Sequence, residues 1–388
     1  MKRNAIIILI SFILIGISYT IPLTQQQGSH KPLDISFPSQ TNEPINIVGN
    51  IELSQMSSGG VGTRSDPYLI AGLNLVLAGN CINIENTTAF FSIRDCNLRS
   101  TTRTEPVVVL NNVENGLIHD SYIRGGSTGV SLLFSVGCIV RESVFFDSFN
   151  GIEIYGSENC TILDCKTFSN TIGISVDYSN ASVVTNSSIY NNTEGVIVGV
   201  YSDGTRIYRN KIGWNAFNAY NHGNNTGFTN GIDIGNAWSD YDGSGSYEVG
   251  GLHPTTDFFA TILIDFESPS IDSPLDKVFD IDSNGETLTW AVSDEFPYVY
   301  LLYIDDVPQD LEIWDGREIT ISLDTLAEGT HTLIMTLQDG AGNVASDEVV
   351  VTAISFLLGG IGTELVIWSS ALTVAILILV VVIIKKMP

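Results

Sequence analysis

Asp95, Asp120, Glu142 and Asp164 follow one another at steps of 25, 22 and 22 residues, and Asn186 extends the series by another 22. If coils of the chain stack at that step, these side chains form one column with neighbours about 5 Å apart. Carboxylates that close repel, and backbone N–H groups, proton uptake or a cation must relieve them. Two chemistries answer to this: a turn ladder in which Asp and Asn bond the backbone of the adjacent coil, and a Ca²⁺ site of hard oxygen ligands. A second oxygen-rich set is Asp240-Tyr-Asp242-Gly-Ser244-Gly245. It reproduces positions 1, 3, 5 and 6 of a calcium loop, with Glu248 at position 9 and Gly251 where a bidentate Glu closes the shell. A purely structural turn is the competing reading.

Phe146, Phe168 and Tyr190 also recur at 22-residue steps, with Arg124 one coil earlier. Strand alternation directs them outward, where aromatic faces and a guanidinium would grip a sugar chain. An interior aromatic stack is the alternative. His119-Asp120 and Arg141-Glu142 come nearest to an acid–base pair. His119 has no partner in its own column, so no catalytic residue is assigned. Cys138 and Cys160 are one coil apart, a separation compatible with a disulfide. Cys96 and Cys165 read as small buried fillers.

The elements that would position these residues announce themselves through Gly129, Gly151, Gly173 and Gly195, each opening a short apolar run. A fixed period of this length means one supersecondary unit stacked on itself. The unit alternates with strand periodicity between Gly, Asn and Ser turns and has no helical window. This predicts an all-β right-handed parallel β-helix. The first strand is expected over Ile45 to Leu53, an excursion loop over Ala216 to Asn230, renewed register at Gly231–Ile234, and a closing cap ending near residue 264. Strands then recur at Thr287–Val292, Tyr298–Ile304, Glu318–Leu323, Thr330–Leu337 and Glu348–Ala353. Their spacing suggests an immunoglobulin-like β-sandwich over 265–353.

The ends carry a different code. Lys2-Arg3 followed by an apolar stretch reads as a signal peptide over 1–20, with a linker over 21–44. Leu365 to Ile384 is an uncharged apolar run followed by Lys385-Lys386. It predicts a C-terminal transmembrane helix after a juxtamembrane linker over 354–364, with a cytoplasmic tail over 385–388. The expected location is therefore the cell membrane, single-pass, with the N-terminal bulk outside. With 43 acidic against 17 basic residues and a net charge of −26, the chain is no partner for nucleic acid, which requires clustered Lys and Arg.

Gly62-Thr63, Asp66-Pro67-Tyr68, the repeated Ile-x-Asp-Cys and Gly-Ile-x-Ile, and the closing Asn236, Trp238-Ser-Asp-Tyr241 and Gly243 resemble NosD-like parallel β-helix proteins. Gly329-Thr-His-Thr-Leu and Asp339-Gly-Ala-Gly-Asn343 resemble Ig-like modules often joined to such helices. The resemblance implies an archaeal-type secreted or surface protein. Copper, which the family name suggests, finds little support in the few Met and scattered His. Six sequons, at Asn86, Asn159, Asn180, Asn186, Asn191 and Asn224, all fall in the β-helix. The expectation is a membrane-anchored surface protein with a structural, adhesive or polysaccharide-binding role, contacting surface polysaccharide or neighbouring envelope proteins. A carbohydrate-active enzyme, either a polysaccharide lyase or a glycoside hydrolase, is the alternative.

Overall fold

The computed structural model describes residues 43–355. The expected signal peptide, most of the first linker and the apolar run 365–384 lie outside them. Among the described residues no helix is long and apolar enough to cross a membrane.

Three parallel sheets of eight, seven and nine strands wrap into a right-handed-type β-solenoid. Stacking is in register: Ile82, Val108, Val130, Ile152, Ile174 and Val196 share one inward column of the first sheet. Their burial with the matching columns of the other sheets forms a continuous apolar core. The glycine step has a steric cause. A Cβ on Gly129, Gly151 or Gly173 would sit 2.5–2.6 Å from the carbonyl oxygen of the next glycine in the column. Close backbone approach, rather than a left-handed φ, therefore demands glycine there.

Buried polar ladders hold the turns. The N–H groups of Ser135, Ser157 and Ser179 each donate to the Ser Oγ one coil on, at 2.9–3.3 Å. Asn170 and Asn192 receive N–H bonds in the same way. These bonds satisfy backbone groups that would be costly to bury unpaired.

Both ends differ from the sequence expectation. The first strand stops at Val48, and an α-helix, Gly49–Met56, follows. It buries Leu53 over the first core layer and begins with the Val48 N–H donating to the Glu52 carboxylate. At the other end there is no excursion loop at 217–221. Strand Phe217–Asn221 continues the first sheet, pairing with Glu194–Val198. A one-residue lengthening of that coil hides the register, while Gly231–Ile234 forms bends instead of a strand. The closing cap is organised by the fully buried Asp257, whose carboxylate accepts from Asn236 N, Trp238 Nε1 and Phe259 N.

Beyond the cap, a three-stranded and a five-stranded sheet enclose a second core containing Trp290, Trp314, Leu333 and Met335. Its longest strands are Gly329–Asp339 and Val344–Ile354. Strands Ser270–Asp272, Lys277–Asp280 and Val307–Ile313 join those expected from the alternation.

Candidate functional site

Phe146, Phe168 and Tyr190 stack in adjacent coils with ring centroids 5.3 and 5.1 Å apart and planes within 10°. The column faces out of the β-helix, as strand parity requires, yet it is completely buried. Phe296 of the second module closes it edge-on 5.4 Å from Tyr190. Tyr190 donates to the Pro297 carbonyl at 2.8 Å, and Lys166 donates to the Glu295 carbonyl at 2.8 Å. Gly340 lets the Asp339–Asn343 turn approach: a Cβ there would meet Tyr190 Cδ2 at 2.7 Å. Arg124 lies 5.6 Å from the Phe146 ring centroid, at the edge of the same seam. The expected sugar platform of Arg124, Phe146, Phe168 and Tyr190 is thus a junction between modules. Phe296 and its neighbours in the second module cover the surface it would have offered.

The carboxylate column is a column of left-handed turn residues. Asp95, Asp120, Glu142, Asp164 and Asn186 have φ of 48–54°, a conformation Asp and Asn tolerate better than most residues. Relief of the repulsion is local: Arg94 pairs with Asp95, His119 with Asp120, Arg141 with Glu142, and Asn186 bonds Asp164. Asp95 and Asp120 line a cleft of ≈ 390 Å³ together with Tyr122 and Arg317, whose guanidinium lies 4.2 Å over the Tyr122 ring.

His119 does have a partner, two residues off its column. Ser92 Oγ lies 2.9 Å from His119 Nε2, while His119 Nδ1 lies 2.6 Å from Asp120 Oδ2. This is the bonding order of a Ser-His-Asp relay. Ser92 is buried, however, and the strand N–H groups around it serve the parallel ladder.

The calcium-loop residues do not converge. Asp240 accepts from Asn218 Nδ2 at 2.7 Å and from the Tyr247 hydroxyl at 3.0 Å. Asp242 accepts from Ser244 N and Oγ, which holds its carboxyl below the usual range. Glu248 turns away to Thr256. The ligand-type side chains that do gather among the described residues are His119, Asp120 and Glu142, and Asp265, Asp294 and Asp339. The second group is assembled where the two modules meet, and sequence columns gave no sign of it. Burial, with Asp339 and Asp265 nearby, raises the Asp294 carboxyl. Copper favours imidazole and sulfur ligands. The His119 cluster offers one imidazole with both nitrogens engaged, so it does not fit that metal.

Cys138 and Cys160 are free thiols, both buried. A hydrogen bond between the two stacked thiols, together with burial, raises the Cys138 thiol. Burial pushes the Cys165 thiol up to about 12, as befits an inert core filler. Of the sequon asparagines, Asn86, Asn159, Asn180, Asn186 and Asn224 are exposed and Asn191 is half-buried.

A second aromatic column escaped the 22-residue rule. Phe134, Tyr155, Tyr178 and Tyr201 follow at steps of 21, 23 and 23 residues and form a ladder in which Tyr155 is half-buried and the other three are exposed. A search that allowed one residue of slippage per coil would have found it.

Residues 74–243 match the family model described as periplasmic copper-binding protein (NosD). No curated protein matches the chain. Among solved structures, it is similar to the A-module of a mannuronan C-5 epimerase from Azotobacter vinelandii. That match has 18 % identity over 40 % of this chain and 44 % of that one, with a TM-score of 0.31. The chain therefore spans under half of that module's length. An alginate lyase from Paenibacillus sp. is similar at 14 % identity over 50 % of this chain and 80 % of that one, with a TM-score of 0.25. The parallel solenoid and the family match together support a NosD-like β-helix repeat over residues 74–243.

Proposed function

We propose that the protein is a non-catalytic surface protein with a structural or adhesive role. In this reading the β-helix provides an elongated contact surface on the outside of the cell. An Ig-like sandwich carries it, and the apolar run 365–384 anchors it in the membrane. The observation that carries the reading is the sealed aromatic stack. A column able to serve a ligand instead joins the β-helix to the sandwich, which favours a two-module body built for display.

The test is to incubate the full chain with purified envelopes and with polysaccharides, then analyse both retention and products. Retention without shortened or unsaturated sugars is expected. Product formation would overturn the reading. It would favour the enzyme alternative, for which the Ser92–His119–Asp120 relay is the specific structural support, and Ser92→Ala would then abolish the products.

A further inference from the structure

The geometry points to a binding track for a neutral polysaccharide, formed by Phe134, Tyr155, Tyr178 and Tyr201 along the helix axis. The inference rests on the reading of the β-helix as a contact surface and names what that surface holds. Consecutive ring centroids are 5.8, 5.4 and 5.3 Å apart. Exposure is 58 % for Phe134, 46 % for Tyr178 and 70 % for Tyr201. No part of the sandwich covers them, in contrast to the sealed stack.

Their backbone shows that this choice of residues does not serve the fold. Phe134, Tyr178 and Tyr201 have φ of 48°, 50° and 57°. Bulky side chains are strained there, and such outliers gather at functional positions. The same turn in earlier coils uses Asn86 and Asn112, and between Phe134 and Tyr178 it uses Gly156, all with positive φ. Asn and Gly adopt this conformation at lower cost. Gly156 also makes a notch: a Cβ there would lie 2.7 Å from Phe134 Cδ1, so the phenyl ring lies over the glycine and meets Tyr155 edge-on.

An aromatic face stacks on the C–H face of a sugar ring, and tyrosine adds a hydroxyl at the rim. A row of aromatic rings spaced close to the length of one sugar unit, each turned 33–87° from the next, suits an extended chain rather than a single sugar. Charge selects the class. The turn positions beside the ladder are Glu114, Val136, Glu158, Asn180 and Asp203, without a basic residue. Asp177 ends the strand below Tyr178. Uronate or sulfated chains would be repelled, leaving neutral hexose or N-acetylhexosamine polymers.

The experiment measures depletion of the full chain by insoluble cellulose, chitin and mannan, with alginate and polygalacturonate as anionic probes. At least one neutral polymer should retain the protein and the anionic ones should not. Tyr178→Asn and Tyr201→Asn install the residue this turn already uses elsewhere, so the fold should keep its melting temperature. Together they should weaken retention at least tenfold. Retention unchanged in the double variant, retention by the anionic polymers alone, or retention by none would each overturn the track. Envelope binding that survives the double variant would sink the track while leaving the surface-contact reading standing.

Discussion

The stack Phe146–Phe168–Tyr190 and the ladder Phe134–Tyr155–Tyr178–Tyr201 run down the same β-helix at similar ring spacings, 5.1–5.3 Å in one and 5.3–5.8 Å in the other. The stack sits on strands in strict register, Phe146 on Phe168 on Tyr190, so its rings are nearly parallel. The ladder sits mainly on turn residues, whose side chains are not locked by a pleat, and its rings tilt by 33–87°. One is covered by Phe296 and carries a buried hydroxyl bond; the other faces solvent on a strained backbone. Aromatic columns on a solenoid thus take their role from what lies over them.

Four substitutions would break or sharpen that contrast. Phe168→Ala empties the middle of the sealed stack and should cost about 3–5 kcal/mol in denaturant unfolding. A loss below about 1 kcal/mol would mean that the seam is not a packed core. Tyr190→Phe keeps the ring but leaves the Pro297 carbonyl unpaired in the seam, for an expected cost of about 1–2 kcal/mol by the same measurement.

Asp294→Asn acts beside the seam in the opposite direction. Burial raises the Asp294 carboxyl in the folded protein. Its contribution is therefore present below the ordinary carboxylate value of about 3.9 and is lost as pH rises through the folded value. Removing the charge should stabilise the protein at neutral pH by about 0.5 kcal/mol after solvent screening. It should also flatten the decline of stability with rising pH, which melting curves across acidic to neutral buffers would register. An unchanged pH profile would dissociate Asp294 from the seam. The smallest effect is expected at the open ladder, where Tyr201→Asn should leave stability unchanged or raise it by up to about 0.5 kcal/mol. A clear loss in thermal melts would make the ladder a packing feature.

Much of the architecture was legible because a parallel solenoid converts a sequence interval into a spatial neighbour. The outward parity of Phe146, Phe168 and Tyr190, the turn column from Asp95 to Asn186, and the stacking of Cys138 on Cys160 all follow from that rule. It failed where contacts leave the column. Ser92 meets His119 on a diagonal 27 residues away, and a one-residue slip hid both the coil at Phe217–Asn221 and the exposed ladder. The Asp240 loop reads as a cation site by spacing, but Asn218 and Tyr247 occupy its first carboxylate.

By itself the sequence determined the period, the inward and outward sets and the polar turn ladders, because each depends only on backbone geometry repeated from coil to coil. Tertiary structure alone decided which outward column is buried. The seal on Tyr190 comes from Pro297, 107 residues along the chain, and from the Phe296 ring. No local periodicity encodes where sheets built around a second core come to rest. The physical reason is that the covering surface belongs to another hydrophobic core, whose docking is selected by shape and a few polar bonds rather than by the repeat.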